Sequence, residues 1–227
     1  MIDKKEDLNF LQDTLSFWKD ITEEQKNTLR QAINKKQFVT GEFMHSNSEN
    51  CSGLFLIKSG QVRAYIVSES GKEITLYRLF ERDVCIFSAS CIMKNISFDI
   101  YIEVEKETQA YLIPTSTFHK LSSESLPMQT FTNNLMASRF TDVMWIMEQA
   151  LFMSFDKRLA NFLLEQATIE ESDVLVITHE KIANHLGTAR EVVTRMLKYF
   201  QGEGMVTLNR GTIKIVNRNK LDDLTER

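Results

Sequence analysis

Arg190, Glu191, Thr194, Arg195 and Lys198 fall on one side of a helix if the stretch around them is helical. Its spacing says that it is: Val193, Met196, Leu197 and Phe200 recur at i, i+3, i+4 and i+7 and form the opposite, apolar stripe. Two guanidiniums, an ammonium, a carboxylate and a hydroxyl on a single helical face are the donors and acceptors that meet base edges in a DNA major groove or hold phosphate oxygens. The chemistry they can do is hydrogen-bonded recognition.

Those side chains need a scaffold, and the flanking residues predict one. Ile182, Ala183 and Leu186 give a first helix with its own buried side, and Gly187 lies between the two apolar patterns, where the chain must turn through a left-handed residue. The result reads as a helix-turn-helix. Downstream, Gly204-Met205-Val206-Thr207, the turn Asn209-Arg210-Gly211 and the run Thr212 to Val216 read as two short strands joined by a turn. Phosphate contacts are expected from Thr178, Thr188, Lys198, Asn209 and Arg210. Thr188 followed three residues later by Glu191 also fits a capping box, so Glu191 has a second reading as a partner of backbone donors. Basic residues on a helix face commonly do no more than solubilise it, and charge pattern alone favours that reading here. His179, Glu180 and His185 do not make a zinc-protease helix, because six residues turn a helix by about 240° and put the two imidazoles on different faces.

The run Gly187-Thr188-Ala189-Arg190-Glu191-Val192-Val193-Thr194-Arg195 resembles the recognition helix of the Crp/Fnr superfamily of bacterial transcription regulators, whose pattern is R-E-x-x-[SG]-R. The resemblance extends to the strands after Gly204, which look like the family's two-stranded wing, and motif, wing and Gly187 hinge together favour DNA over a merely solubilising face. It implies that Arg190, Glu191 and Arg195 read bases, and that Thr194 stands where a hydroxyl marks the Fnr-like branch. It further implies a homodimer on a palindromic operator with TGA-containing half-sites, Arg190 and Arg195 on guanine, and Glu191 accepting from a cytosine or adenine amino group. RNA polymerase is an implied partner if the protein activates.

Composition sets the frame. The 227 residues, 43% hydrophobic and 26% charged, are ordinary for a globular protein of one large or two modest domains. A net charge of −4 argues against a polybasic coat, yet residues 178–220 hold eight Lys and Arg against three Glu, concentrating positive charge where DNA would lie. No run of about 18 apolar residues exists and MIDKKEDLNF has no signal-peptide core, so the expectation is a cytoplasmic protein without a membrane partner. Cys51, Cys85 and Cys91 are too few for a disulfide framework.

The texture of the chain predicts an α+β protein. Residues 8–34 carry Leu8, Leu11, Leu15, Phe17, Leu29 and Ile33 as anchors of short helices. From Lys36 to Pro114 short strands follow: Leu54 to Lys58, Gln61 to Val67, Ile74 to Phe80, Ile100 to Glu105 and Gln109 to Ile113. Ser59-Gly60 and Ser70-Gly71-Lys72 read as tight turns between them. This spacing suggests an antiparallel jelly roll or double-stranded β-helix, and LFLIKSGQVRAYIVSESGKEITLYRL resembles the cyclic-nucleotide-binding-type barrel of the same superfamily. A helix from Pro127 to Leu151 would run about 37 Å. Met136, Phe140, Val143, Met147 and Leu151 give it a near-heptad stripe that suits either a dimer seam or packing on its own domain; the resemblance favours the dimer. Ser154 and Asp156 then start a helix over Lys157 to Gln166, with Leu159, Phe162 and Leu163 facing a core. The expected organisation is a sensor barrel with N-terminal helices over 1–126, a dimerisation helix over 127–153 and a winged helix-turn-helix over 154–227.

The barrel's ligand is less legible. Cyclic-nucleotide sensors of this superfamily use a glycine-flanked glutamate in a phosphate cassette and a following arginine-serine pair. Here the stretch reads ERDVCIFSASCIMKNISFDIYIEVE, with none of these, which disfavours cyclic AMP. Fnr-type iron-sulfur sensors carry an N-terminal cysteine cluster, and no cysteine precedes Cys51. The candidate effector pocket comprises Arg82, Cys85, Phe87, Ser88, Ser90 and Cys91, with the small-molecule effector unidentified and any cofactor unknown. Cys85 and Cys91 leave a redox- or haem-responsive regulator as an alternative. Six residues nonetheless span about 20 Å in a strand or about 9 Å in a helix, too far for a disulfide, and a buried thiol is otherwise a small hydrophobe. A cupin-type metal enzyme is a second alternative, opposed by the absence of an H-x-H pair and by the isolation of His45 and His119. A DNA-binding scaffold whose barrel only packs or dimerises is a third. The residues specify no catalytic group and no metal ligand.

Overall fold

The computed structural model describes residues 5–45, 53–86 and 99–226. Helix α1 (Lys5–Thr14), a 3-10 turn (Ser16–Lys19) and α2 (Glu23–Ala32) open the chain. A capping box fixes the start of α2: the Gln25 N–H donates to Thr22 Oγ1 at 3.2 Å, and the Thr22 N–H donates to Gln25 Oε1 at 3.0 Å. The anchors read from sequence do the packing. Leu11, Leu15, Phe17, Leu29 and Ile33 are buried against Leu54, Leu56, Tyr111 and Ile113 of the sheet.

That sheet is antiparallel and contains β1 (Asn34–Phe38), β2 (Phe43–His45), β3 (Gly53–Val67), β4 (Glu73–Leu79), β5 (Val84–Cys85) and β6 (Tyr101–Pro114). The order is β1-β6-β3-β4, with β2 also on β6 and β5 on β3. Ser70-Gly71-Lys72 turns as expected, with the Gly71 N–H on Ser68 O at 2.9 Å and Gly71 at φ +76°. Ser59-Gly60 does not turn. It lies within β3, and the two strands expected on either side are one strand of 15 residues; the same holds for β6, which joins the two predicted strands opposite. The register slips between Ile57 and Val62. Gly60 sits at φ +100°, where an added Cβ would stand 2.3 Å from the Glu107 carbonyl oxygen, so the glycine permits a bulge against β6 rather than a reversal. The bulge also changes the parity of the inward face. Phe55 and Ile57 point to the barrel core before it, Val62 and Ala64 after it.

Helix α3 (Thr115–Glu124) and the 27-residue α4 (Leu126–Phe152) follow, the latter close to its predicted extent. The chain forms two compact units: Met1–Ile66 with Leu76–Val143, and Val67–Thr75 with Met144–Arg227. In the first, Met136 and Val143 of α4 pack against the core of their own barrel. Phe140, Met147 and Leu151 are instead exposed, and so are Met144, Trp145 and Phe152. The stripe drawn from sequence thus mixes two faces. The outward apolar line is Phe140, Met144, Met147 and Leu151, at intervals of four, three and four, while Met136 and Val143 serve the barrel.

The second unit contains α5 (Phe155–Ile169), β7 (Val174–Leu175), α6 (His179–Leu186), α7 (Arg190–Gly202), β8 (Val206–Asn209), β9 (Thr212–Ile215) and α8 (Arg218–Glu226). Leu159, Phe162 and Leu163 of α5 are buried with Ile182, Val193, Leu197, Phe200 and Ile213. The two expected wing strands gain a third neighbour, giving the order β7-β9-β8. β7 is only two residues long, too short to leave a period. Arg218 Nε lies 2.7 Å from Asp173 Oδ1 and ties α8 to the start of β7.

Candidate nucleic-acid interface

The helix pair is built as its punctuation requires. Thr178 caps α6, its hydroxyl oxygen accepting from the Lys181 N–H at 3.1 Å. Gly187 ends α6 in the left-handed region at φ +66°, and the Ala183 carbonyl receives the Thr188 N–H at 3.0 Å. Helix α7 begins at Arg190 with Ala189 in the cap position and no side-chain cap. The capping box anticipated for Thr188 and Glu191 therefore does not form, because the helix starts one residue later than that pairing needs. Glu191 is left exposed in the first turn.

Val193, Leu197 and Phe200 face the core, and Arg190, Glu191, Arg195 and Lys198 face outward. Thr194 lies between the two faces. Its hydroxyl donates to the Arg190 carbonyl at 2.9 Å and sits 2.9 Å from His179 Nδ1, so the hydroxyl is engaged within the helix pair. At the wing, Asn209 pairs with Thr212 and leaves Arg210-Gly211 as a two-residue turn, with Gly211 at φ +75°. Thr188 is half-buried, and Thr178, Asn209 and Arg210 are exposed.

Between α6, α7 and the wing runs a cleft of about 540 Å³ lined by Thr178, His179, Glu180, Arg190, Asn209 and Arg210. It gathers four of the residues proposed for DNA, while Arg195 and Lys198 extend the same basic face along α7. Among the described residues no carboxylate lies within ion-pairing distance of Arg190, Arg195, Lys198 or Arg210. Burial, together with the nearby Arg190 guanidinium, pushes the His179 imidazole below its usual value. His179 was not among the residues singled out for DNA; the available signal was its place one residue after a helix-capping threonine. His185 lies apart from it, buried at 6% exposure, with its ring 5.2 Å from Phe162 and Nδ1 2.8 Å from Thr75 Oγ1.

Of the proposed effector pocket, Arg82 and Cys85 are among the described residues. Arg82 stands at the surface in a turn at φ +71°, its guanidinium 3.6 Å from Asp13. Cys85 is wholly buried on β5 opposite Phe55. Phe87, Ser88, Ser90 and Cys91, like Cys51, lie outside the described residues. Sequence reading missed a set of charges within the sheet: Arg78 Nε is 3.3 Å from Glu105 Oε2, which also accepts from Gln61 Nε2 at 2.7 Å, and Arg63 is 3.9 Å from Glu103. Charged residues at alternate positions in otherwise apolar strands were the signal for it. Among the described residues no three His, Cys, Asp or Glu side chains are grouped to hold a metal ion, and no helix is long and apolar enough to cross a membrane.

Comparison with known proteins agrees with both halves. Residues 157–224 match the Crp-like helix-turn-helix domain, and residues 35–125 match the cyclic nucleotide-binding domain. A crystal structure of a Crp/Fnr-family transcriptional regulator from Eubacterium rectale superposes with a TM-score of 0.93 at 47% identity, covering 95% of this chain and 100% of that one. Regulatory protein HlyX of Actinobacillus pleuropneumoniae is 27% identical over 199 residues, 84% of this chain and 80% of its own. The fumarate and nitrate reduction regulatory protein of Escherichia coli K12 is 25% identical over 201 residues, 84% of this chain and 78% of its own.

Proposed function

This chain belongs to the Crp/Fnr family of DNA-binding transcription regulators, and from that premise we propose that it works as an effector-responsive homodimer on a palindromic operator with TGA-containing half-sites. The observation that carries the reading is the face of α7: Arg190, Glu191, Arg195 and Lys198 are exposed, and the three cations have no carboxylate partner among the described residues. Uncompensated cations on a helix of groove width gain most from phosphates and guanine edges. Arg190, Glu191 and Arg195 read bases in this proposal. Thr194 contributes chiefly its methyl group, since its hydroxyl is already engaged. Thr178, Thr188, Lys198, Asn209 and Arg210 hold phosphates.

Dimerisation is assigned to the outward line Phe140, Met144, Met147 and Leu151 of α4, which exposes large apolar surface in a single copy. Two-fold pairing would place the recognition helices about 34 Å apart, one turn of DNA. The barrel is the sensor. Its sequence lacks the glycine, glutamate and arginine-serine pair of a cyclic-phosphate cassette, which disfavours cyclic AMP as its ligand. If the regulator activates, RNA polymerase is its further partner.

A footprint on random-sequence DNA enriched by the full-length protein tests the reading. Two TGA-containing half-sites in inverted repeat are expected. Enrichment of a single, asymmetric site or of none overturns it. A thermal-shift series with cyclic AMP, a cyclic dinucleotide and haem addresses the sensor, because a ligand of the folded barrel must raise its melting temperature.

A further inference from the structure

We propose that His179 is a proton-dependent phosphate contact, so that binding of DNA takes up a proton at each protomer and tightens as the pH falls. The proposal rests on the DNA-binding reading above and adds to it a residue and a dependence that the reading does not contain.

Thr194 has a single hydroxyl hydrogen to give. The Thr194 hydroxyl gives its only hydrogen to the Arg190 carbonyl, so toward His179 it is an acceptor, and Nδ1 must carry the hydrogen of that 2.9 Å contact. A neutral imidazole protonated at Nδ1 has a lone pair at Nε2. Such a ring offers a phosphate oxygen repulsion and no hydrogen. When Nε2 is protonated the same ring becomes a charge-assisted donor, without giving up its bond to Thr194. Protonation therefore switches the phosphate contact while the tie between α6 and α7 stays in place in both states.

The surroundings set when this happens. His179 is half-buried and lines the cleft between α6, α7 and the wing. The charged groups that line it are Glu180 on α6, which favours protonation, and Arg190 on α7 and Arg210 in the wing turn, which oppose it. Burial and Arg190 hold the imidazole below its ordinary range in the free protein, so it is neutral at physiological pH. A phosphate entering the cleft pairs with Arg210 and sets an anion beside the ring, while Arg190 turns to a guanine edge, and each of these favours the protonated ring. The sign follows by linkage: the complex binds more protons than the free protein, so affinity rises as pH falls through the value in the complex and levels off below the value in the free protein. The limiting slope is about one decade per pH unit for each protomer engaged. Because phosphates carry no sequence information, the effect is common to specific and nonspecific DNA.

Fluorescence anisotropy of the full chain tests this, using a labelled palindromic duplex with two TGA half-sites and a scrambled duplex of the same composition, from about pH 5.5 to 8 at constant ionic strength. For the unmodified protein, affinity for both duplexes should rise several-fold across this range as pH falls. His179→Gln should keep the preference for the palindrome and lose most of the slope; His179→Arg should bind tightly with a flat profile. The comparison removes the background from His45, His119 and His185, which are common to all three proteins. A His179→Gln protein with the unmodified slope overturns the histidine proposal and leaves the DNA-binding reading standing. Failure of the unmodified protein to bind either duplex at any pH overturns both.

Discussion

Tyr111 donates its hydroxyl hydrogen to Asp7, joining β6 to α1 across 104 positions of sequence. Lys35 closes on the same carboxylate at 2.6 Å and Lys58 stands 3.7 Å away. Asp7 is 2% exposed, so α1 is docked on the sheet by a buried carboxylate within apolar packing. Burial raises the Asp7 carboxyl, but the Lys35 and Tyr111 hydrogen bonds and the two ammonium charges outweigh it and hold the group below its usual value. Burial, then the Asp7 contact, pushes Tyr111 up to about 12.

The first prediction follows from these signs. A carboxyl depressed in the folded state stabilises above its unfolded value of 3.8, and that contribution is lost as pH falls through the folded value. A tyrosine raised in the folded state stabilises below 10 and loses this as pH climbs through about 12. Asp7→Asn should lower unfolding free energy at neutral pH by about 2 kcal/mol and flatten the acid limb of the stability profile. Urea melts at pH values stepped downward from neutrality measure both; an unchanged acid limb would refute the assignment.

Gly60 supplies the second. Alanine there would need a left-handed backbone and a Cβ 2.3 Å from the Glu107 oxygen, with Thr108 Oγ1 at 2.5 Å. Since the clash is with backbone on β6, it has no inexpensive relief. Gly60→Ala should cost about 3 kcal/mol or more, whereas Gly71→Ala, in a hairpin turn with open space around it, should cost about 1 to 2 kcal/mol. Thermal denaturation of the two variants checks the order.

These two positions also show what sequence discloses. Gly60 and Gly71 both follow serine, and nothing local separates a turn from a bulge; the partner strand, over 40 residues away, decides. The α6–α7 pair was legible because its signals are local: Gly187 as hinge, an apolar stripe at helical period and a cap at Thr178. Tyr111 and Asp7, or Thr194 and His179, were not, since each is a meeting of side chains from different elements. The α4 stripe falls between these cases. Its period was visible, but which half of it faces the barrel depends on where α4 lies on the sheet, so Met136 and Val143 were grouped with Phe140, Met147 and Leu151.

That division gives the third prediction. Met147→Glu places a charge on the outward line, and in a two-fold seam the two carboxylates meet with little water, so the protein should sediment as a folded monomer that has lost only the stability association supplies. Met136→Glu buries a carboxylate against the barrel core and should destabilise the fold by about 3 kcal/mol or more. A dimer of unchanged mass in the Met147→Glu protein would remove this line from the interface.

The fourth separates the two kinds of DNA contact. Arg195 projects from the outer face of α7 and Arg210 from the wing turn, and neither has an ion-pair partner among the described residues. A guanidinium on a guanine edge makes a bidentate contact that a wrong base forfeits, whereas one on a phosphate contributes equally on any sequence. Arg195→Ala should cost about 1 to 3 kcal/mol on the TGA palindrome and narrow its margin over a scrambled duplex. Arg210→Ala should weaken both duplexes alike and reduce the slope of log affinity against log salt by about one per protomer. Competition gel shifts at two salt concentrations measure both quantities. Intact selectivity in the Arg195→Ala protein would move base reading to Arg190 and Glu191, and a sequence-dependent loss in the Arg210→Ala protein would place the wing on a base edge.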